Sequence, residues 1–173
     1  PAVDCLMNHI GTHDTARILT VLGNDSNYVG NREWQSFQKL TPEQYEKGKS
    51  LLKVGAVLQY TLPGVPSLYY GDEAGLEGYG DPFCRKGFPW GREDTELLEF
   101  YKTLGTFRRS CDAFCSGEFI PCYANFGEIA YIRKGKKSSV FIAATRWGGE
   151  TEIEVPKEFL NAQVIFGTKP QDQ

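Results

Sequence analysis

The feature that most limits how this chain can fold is the run Leu40-Thr41-Pro42-Glu43-Gln44-Tyr45, where several helix-starting devices coincide. Thr41 fits an N-cap, Pro42 fits the first helical position, where its missing N–H is no loss, and Gln44 closes a capping box. Leu40 and Tyr45 form the matching hydrophobic staple. Downstream, Leu51, Val54, Leu58 and Leu62 recur at three- and four-residue steps, and Leu52, Gly55 and Ala56 widen the apolar face. Pro63-Gly64 ends the pattern, so a helix is predicted between Thr41 and Pro63. Val65-Pro66-Ser67-Leu68-Tyr69-Tyr70 follows at once, short, apolar and aromatic, and runs into Gly71-Asp72-Glu73. That reads as a buried strand emptying into a loop.

The flanks extend the pattern. Met7 to Gly11 suits a short strand leading to the polar tip Thr12-His13-Asp14-Thr15, and Ala16-Arg17-Ile18-Leu19 can begin a short helix. From Ala74 to Arg92 the chain is rich in Gly, Pro and aromatic residues and shows neither regular period. A loop of that length inside a compact domain is uncommon unless it has a function. A second helix is predicted from about Asp94, with Leu97, Phe100, Tyr101, Leu104 and Phe107 on one face and Arg108-Arg109 suiting the dipole at its end.

After Gly117 the texture changes to short β-rich runs: Phe119 to Tyr123, Ile129 to Arg133, Val140 to Ala144, Thr151 to Val155 and Val164 to Phe166. Turn residues such as Asn125-Phe126-Gly127, Lys134-Gly135-Lys136 and Gly148-Gly149 separate them, as in an antiparallel sheet or sandwich. The expected organisation is therefore α/β over residues 1–112 and all-β over residues 113–173, without an internal repeat.

Composition excludes several classes of protein. With 173 residues, 40% apolar and 13% aromatic, the chain can bury a core. The 19 Lys plus Arg are balanced by 22 Asp plus Glu and spread along the sequence, which argues against nucleic acid or an anionic membrane as partner. No run of about 18 apolar residues is present. Five cysteines, Cys5, Cys84, Cys111, Cys115 and Cys122, cannot all pair within the chain, and Cys111 with Cys115 lacks zinc-site spacing. Free thiols point to a reducing compartment and hence the cytoplasm. The chain begins without Met and reaches a dense motif within a dozen residues, so preceding sequence is expected to be missing and export stays open.

Candidate chemistry lies in the polar tip and the long loop. On spacing alone, Asp14 or Thr15 reads as an N-cap and His13 as a surface residue. Asp81 and Arg85 read equally as an exposed i,i+4 ion pair. Asp72 and Glu73 are adjacent carboxylates, but consecutive strand residues point apart, so they are not taken as a catalytic pair. Tyr70, Tyr79 and Trp90 can stack on a ligand ring or belong to the core, with burial tendencies favouring the core.

Three stretches, in this order, carry a more specific signal. Asn8-His9-Ile10-Gly11-Thr12-His13-Asp14-Thr15-Ala16-Arg17 resembles the fourth conserved region of the α-amylase family of glycoside hydrolases, at the end of that family's seventh barrel strand. Gly64-Val65-Pro66-Ser67-Leu68-Tyr69-Tyr70-Gly71-Asp72-Glu73 resembles its eighth strand and following loop. Gly80-Asp81-Pro82-Phe83-Cys84-Arg85 through Phe88-Pro89-Trp90 is similar to a loop of the neopullulanase, cyclomaltodextrinase and maltogenic amylase branch, although Phe88 stands where relatives often have Met. The resemblance is close over residues 5–120 and looser beyond.

It implies the last strands and helices of a (β/α)8 barrel followed by an antiparallel β-sandwich, with the active site at the carboxyl ends of the strands. Asp14 matches the carboxylate that stabilises the cationic transition state, and His13 the residue that hydrogen-bonds hydroxyls of the reacting sugar. Asp81 and Arg85 match residues that hold a neighbouring glucose unit, and Arg17 an arginine that supports the barrel. The nucleophile, the general acid and the first three conserved regions lie outside this sequence. The resemblance thus implies a carboxy-terminal fragment, inactive alone, of a retaining hydrolase acting on maltooligosaccharides, starch, pullulan or cyclodextrins, with no cofactor or metal held by this chain. Two alternatives stand beside it: an α-glucan transferase, such as a branching enzyme or glucanotransferase, and a non-catalytic module that binds glucan through Tyr123, Trp147 and Phe159. A part-barrel exposes sheet edges, so self-association into a homo-oligomer is expected.

Overall fold

The computed structural model describes residues 2–24, 30–147 and 152–167. The predicted long helix forms as α3, Pro42–Thr61, preceded by a strand β1, Met7–Asn8, and two short helices, α1, Ile18–Gly23, and α2, Arg32–Phe37. The capping box is realised in both directions: Thr41 Oγ1 accepts from the Gln44 N–H at 3.2 Å and Gln44 Oε1 accepts from the Thr41 N–H at 3.0 Å. The buried stripe of α3 differs from the expected one. Gly48, Leu52, Ala56 and Gln59 are buried, while Leu51, Val54, Leu58 and Leu62 are half-buried. Helix α1 is the cause, because it crosses α3 almost backbone to backbone. A Cβ on Gly48 would lie 2.7 Å from the Leu19 carbonyl oxygen, and one on Gly23 would lie 2.4 Å from that of Gln44. Close approach at Gly48 turns that side of α3 inward.

Strand β2, Val65–Pro66, follows α3 and pairs with β1 in parallel, Met7 opposite Val65 and Asn8 opposite Pro66. A helical crossover is what joins parallel neighbours. Two side-chain amides fasten the pair to the helix. Gln59 Nε2 donates to the Asn8 and Ser67 carbonyls at 3.0 and 2.9 Å, and Asn8 Nδ2 donates to the Pro63 carbonyl at 3.0 Å. The expectation of a buried strand over Val65 to Tyr70 is corrected: only Val65–Pro66 is paired, and Val65, Leu68 and Tyr70 are exposed. A parallel strand is buried when it has neighbours on both edges and cover on both faces. Among the described residues β2 has only β1 beside it.

Helix α4, Thr95–Ser110, begins as predicted, with Asp94 Oδ1 accepting from the Leu97 N–H at 3.0 Å. Tyr45 donates to Asp94 Oδ2 at 3.0 Å and Lys49 pairs with it at the same distance, locking the start of α4 onto the first half of α3. Leu97, Tyr101 and Leu104 bury against Leu19, Leu52 and Ala56 as the first core.

Three antiparallel strands follow in the order β3, Glu118–Asn125, β4, Glu128–Lys134, and β5, Ser139–Thr145. A second core joins Ala113, Phe114, Tyr131 and Ile142 to Val57 and Phe107 of the helices and to Leu62 just past α3. Arg133 Nη1 reaches back to donate to the Thr61 carbonyl at 2.7 Å. The sheet thus packs directly on the carboxyl end of α3.

The expected sandwich is not formed among the described residues. Residues 152–155 and 164–166 carry no strand, and the turn at Gly148-Gly149, like Thr151, lies outside the described residues. Alternation along a segment marks a face, but a strand also needs a partner backbone. Phe166 instead packs on Phe100 and Phe107 of α4, with ring centroids 5.2 and 6.0 Å away. No helix among the described residues is long and apolar enough to cross a membrane, and all five cysteines are unpaired.

Leu6, Met7 and Val65 form an exposed apolar run beside the open two-stranded sheet, at 58, 67 and 52% exposure. Such an edge pairs readily with another copy. Sedimentation velocity of the chain is expected to show concentration-dependent association that Met7→Lys reduces; a monomer at all concentrations would contradict this.

Candidate active site

The loop after β1 and the long loop after β2 meet. Thr12 shapes the first tip: its Oγ1 accepts from the Asp14 N–H at 3.2 Å, and its own N–H donates to Thr15 Oγ1 at 3.3 Å. This small hydroxyl-closed turn presents His13 and Asp14 side by side, with His13 Nε2 3.2 Å from Asp14 Oδ2. A short 3-10 turn, Phe83–Arg85, delivers the second group. Arg85 Nη2 lies 3.5 Å from Asp14 Oδ1, and Arg85 Nε lies 2.9 Å from Asp81 Oδ1 and 3.1 Å from the His13 carbonyl oxygen. The four residues singled out in the sequence are therefore one cluster. Asp81 and Arg85 form the i,i+4 ion pair that their spacing suggested, and the pair also reaches Asp14. Asp14 does not cap a helix, as α1 starts after Arg17. The cluster is open to solvent, Asp14 being 71% and Arg85 46% exposed at the side chain.

Beneath it lies a fully buried support. The Arg17 guanidinium pairs with Asp72 at 3.2 Å, both side chains being at most 1% exposed. Its Nε donates to the Cys84 carbonyl at 2.7 Å, its Nη1 to the Tyr70 carbonyl, and its backbone N–H to the Gly78 carbonyl at 2.8 Å. Its planar head also lies over the Tyr69 and Tyr70 rings, 4.2 and 4.7 Å from their centroids. One side chain thus binds the residue before Arg85, the end of the segment after β2 and the carboxylate that follows it. Gly11 belongs to the same seat, because a Cβ there would stand 3.0 Å from Asp72 Oδ2.

Asp72 and Glu73 do not form a catalytic pair. Asp72 serves Arg17, and Glu73 Oε2 accepts from the Gly71 N–H at 2.8 Å. Burial pushes the Asp72 carboxyl up to about 6, against the pull of Arg17 and with a smaller push from Glu73. Tyr79 is core, as burial tendency suggests, whereas Tyr70 and Trp90 are exposed at 40 and 79%. The residue that sequence reasoning missed is Cys84, whose buried Sγ sits 3.2 Å from the His13 carbonyl. A single Cys inside a Gly- and Pro-rich loop offers no local signal of that contact.

With the geometry established, comparison with known proteins identifies the type. No protein-family model matches the chain. An amylopullulanase of Thermoanaerobacter thermohydrosulfuricus is 41% identical over 134 residues, 78% of this chain but 8% of that protein. A second amylopullulanase, from Thermoanaerobacterium thermosulfurigenes, is 40% identical over 178 residues, covering 96% of the chain and 9% of the relative. A cyclomaltodextrinase of a Bacillus species is 30% identical over 145 residues, covering 82% and 22%. Among solved structures, a maltogenic amylase from S. marinus superposes with a TM-score of 0.64 at 28% identity over 86% of this chain and 18% of that one. A cyclomaltodextrinase superposes with a TM-score of 0.63 at 30% identity over 81% and 21%. The solved neighbours combine a (β/α)8 barrel with a β domain. These matches put the chain among the glycoside hydrolases. It belongs to the α-amylase family, and it spans less than a quarter of the length of each of these relatives.

The buried pair makes two measurable predictions. Arg17→Met leaves a carboxylate buried without its partner, which costs about 3–5 kcal/mol and is read by urea denaturation at pH 7. The pH dependence follows from Asp72. Below its ordinary value of 3.8 the carboxyl is protonated in both states, whereas between 3.8 and about 6 only the folded chain keeps the proton. Its contribution to stability is therefore full below 3.8, falls as the pH rises to about 6, and is level above. Denaturation midpoints of Asp72→Asn lack that fall, so the difference from the unsubstituted chain changes between pH 4 and 6; a constant difference would refute the burial effect.

Proposed function

We propose that the protein to which this chain belongs is a retaining glycoside hydrolase. It cleaves α-glucosidic bonds in maltooligosaccharides, starch, pullulan or cyclodextrins, and Asp14 is the carboxylate that stabilises its transition state. The observation that carries this reading is the convergence of His13 and Asp14 with Asp81 and Arg85, from loops about 70 positions apart, on one solvent-facing cluster. Relatives named amylopullulanase, cyclomaltodextrinase and maltogenic α-amylase support an α-glucan as the substrate class.

The role follows from charge. Cleavage of a glycosidic bond passes through a sugar with oxocarbenium character, and a carboxylate fixed beside it lowers that barrier. Asp14 is fixed from both sides, Oδ2 by His13 and Oδ1 by Arg85. His13, with hydrogen-bonding nitrogens at the same tip, is suited to the hydroxyls of the reacting glucose. Asp81 and Arg85, an acceptor and a planar donor, are suited to the hydroxyls of the next unit. No cofactor or metal enters this chain's share of the chemistry. A carboxylate this exposed acts through water, where two charges at contact distance exert only about a twentieth of the influence they have in a dry interior. The missing acids and the missing enclosure both support an inactive fragment. The unpaired thiols are compatible with the reducing cytoplasm.

In the enzyme that contains this chain, Asp14→Asn is expected to lower kcat on maltoheptaose or cyclodextrin by at least about 10²–10³-fold, with a smaller change in KM. The isolated chain is expected to release no sugar from maltooligosaccharides, cyclodextrin or pullulan above an Asp14→Ala control. Turnover by the isolated chain above that control would overturn the fragment reading, and an unchanged kcat in the Asp14→Asn enzyme would remove Asp14 from the mechanism.

A further inference from the structure

A second surface, in the β sheet and built from none of these residues, gathers exposed aromatic and polar side chains. The β3–β4 hairpin turns at Asn125-Phe126-Gly127, and the chain leaving β5 returns to it at Arg146-Trp147. Phe126 is 77% exposed and Trp147 48%, with ring centroids 5.9 Å apart. Two large aromatic side chains on a surface normally turn toward a core; here they are held outward. Trp147 Nε1 donates to the Phe126 carbonyl at 3.0 Å, its backbone N–H to Thr145 Oγ1 at 3.1 Å, and the Arg146 N–H to the Gly127 carbonyl at 2.8 Å. The indole lies so close over the turn that a Cβ on Gly127 would be 2.3 Å from its Nε1, at a residue whose φ of +96° already favours glycine. The Arg146 guanidinium stands 4.7 Å from the Trp147 ring centroid and 5.5 Å from that of Phe126. Beside them Asn125 Nδ2 donates to Tyr123 Oη at 3.2 Å, and the Tyr123 hydroxyl donates to Glu128 at 3.3 Å.

We infer that this hairpin tip, with Phe126, Trp147 and Arg146, is a second, non-catalytic site that binds an α-glucan chain. Rigid aromatic faces are matched by the flat C–H faces of a pyranose, and because Trp147 is already pinned, stacking on it costs little further side-chain entropy. Arg146, Asn125 and Tyr123 supply the donors and acceptors that sugar hydroxyls need. Glu128, which accepts from the Tyr123 hydroxyl and lies opposite Thr145 in the sheet, adds a carboxylate to the surface that carries Arg146, which disfavours phosphate groups and favours a neutral polyol. That the polyol is an α-glucan rests on the proposed function.

The test is native electrophoresis of the chain through gels with and without soluble amylopectin. The unsubstituted chain is expected to be retarded by the glucan. Phe126→Ala, which removes a ring with almost no buried contact, and Trp147→Ala are each expected to weaken the apparent dissociation constant about fivefold or more. Asp14→Asn is expected to keep the retardation, which separates this site from the Asp14 cluster. No retardation of the unsubstituted chain would overturn the inference, as would retardation that Phe126→Ala leaves unchanged. Retardation lost in Asp14→Asn but kept in Phe126→Ala would assign binding to the Asp14 cluster instead, leaving the proposed function standing.

Discussion

The rest of the site depends on one buried ion pair. Arg17 follows the His13-Asp14 tip by three residues, and its guanidinium is enclosed with Asp72. Arginine suits this place because its donors radiate in one plane: Nε meets the Cys84 carbonyl, and Nη1 meets both the Tyr70 carbonyl and Asp72. The loops that carry Asp14 and Arg85 are irregular, so no ladder of backbone hydrogen bonds holds them together. Side chains replace that ladder, the buried Arg17 from one side and Cys84 and Arg85 on the His13 carbonyl from the other. The arrangement is costly, since Arg17 Nη2 and Asp72 Oδ2 find no hydrogen-bond partner among the described residues. A pair with such unmet bonds is poorly explained by stability alone; it is better explained by the alignment it imposes on the loops above it.

Side-chain to backbone bonds recur wherever elements of different type meet. Gln59 and Asn8 stitch α3 to the two-stranded sheet. Arg108 binds the Tyr60 and Gly64 carbonyls, and Arg133 binds that of Thr61, so the last carbonyls of α3 are satisfied by arginines from α4 and from the β sheet. Capping one helix end from two directions fixes the sheet against the helices through the same atoms that end α3. The chain thus passes from its α/β part to its β part through a shared core, with Phe114 and Tyr131 on one side and Val57 and Phe107 on the other.

The sequence was informative where the signal was local. The capping box at Thr41, the helix start at about Asp94, the three β runs between Phe119 and Ala144 and the pairing of Asp81 with Arg85 each involve residues a few positions apart, and each forms. The convergence of His13 and Asp14 with Arg85 is not local; it was legible only because three motifs in order resembled one family. Signals failed where a distant partner decided the outcome. The inward face of α3 is set by α1 at Gly48, and the exposure of Val65 by what lies beside β2. Residues 152–155 alternate like a strand without forming one, and Phe166 is taken up by α4. Helix α2 was missed because six residues are too few to show a period, although Asn31 caps it through the Trp34 N–H at 2.9 Å.

On the proposed function, the surroundings of Asp14 matter as much as its orientation. Asp14, His13 and Arg85 already have fixed mutual geometry, yet Asp14 faces bulk water across most of its side-chain surface. Electrostatic stabilisation of a transition state needs dipoles and charges that are both oriented and shielded, because water that reorients around a developing cation does the same work without enzyme help. Here orientation is supplied from below, by Arg17 and Asp72, whereas shielding must come from above, from protein or substrate that covers the tip. That is the physical reason to seat the tip on a buried support: a carboxylate that moved with its loop would lose the alignment that makes its charge useful.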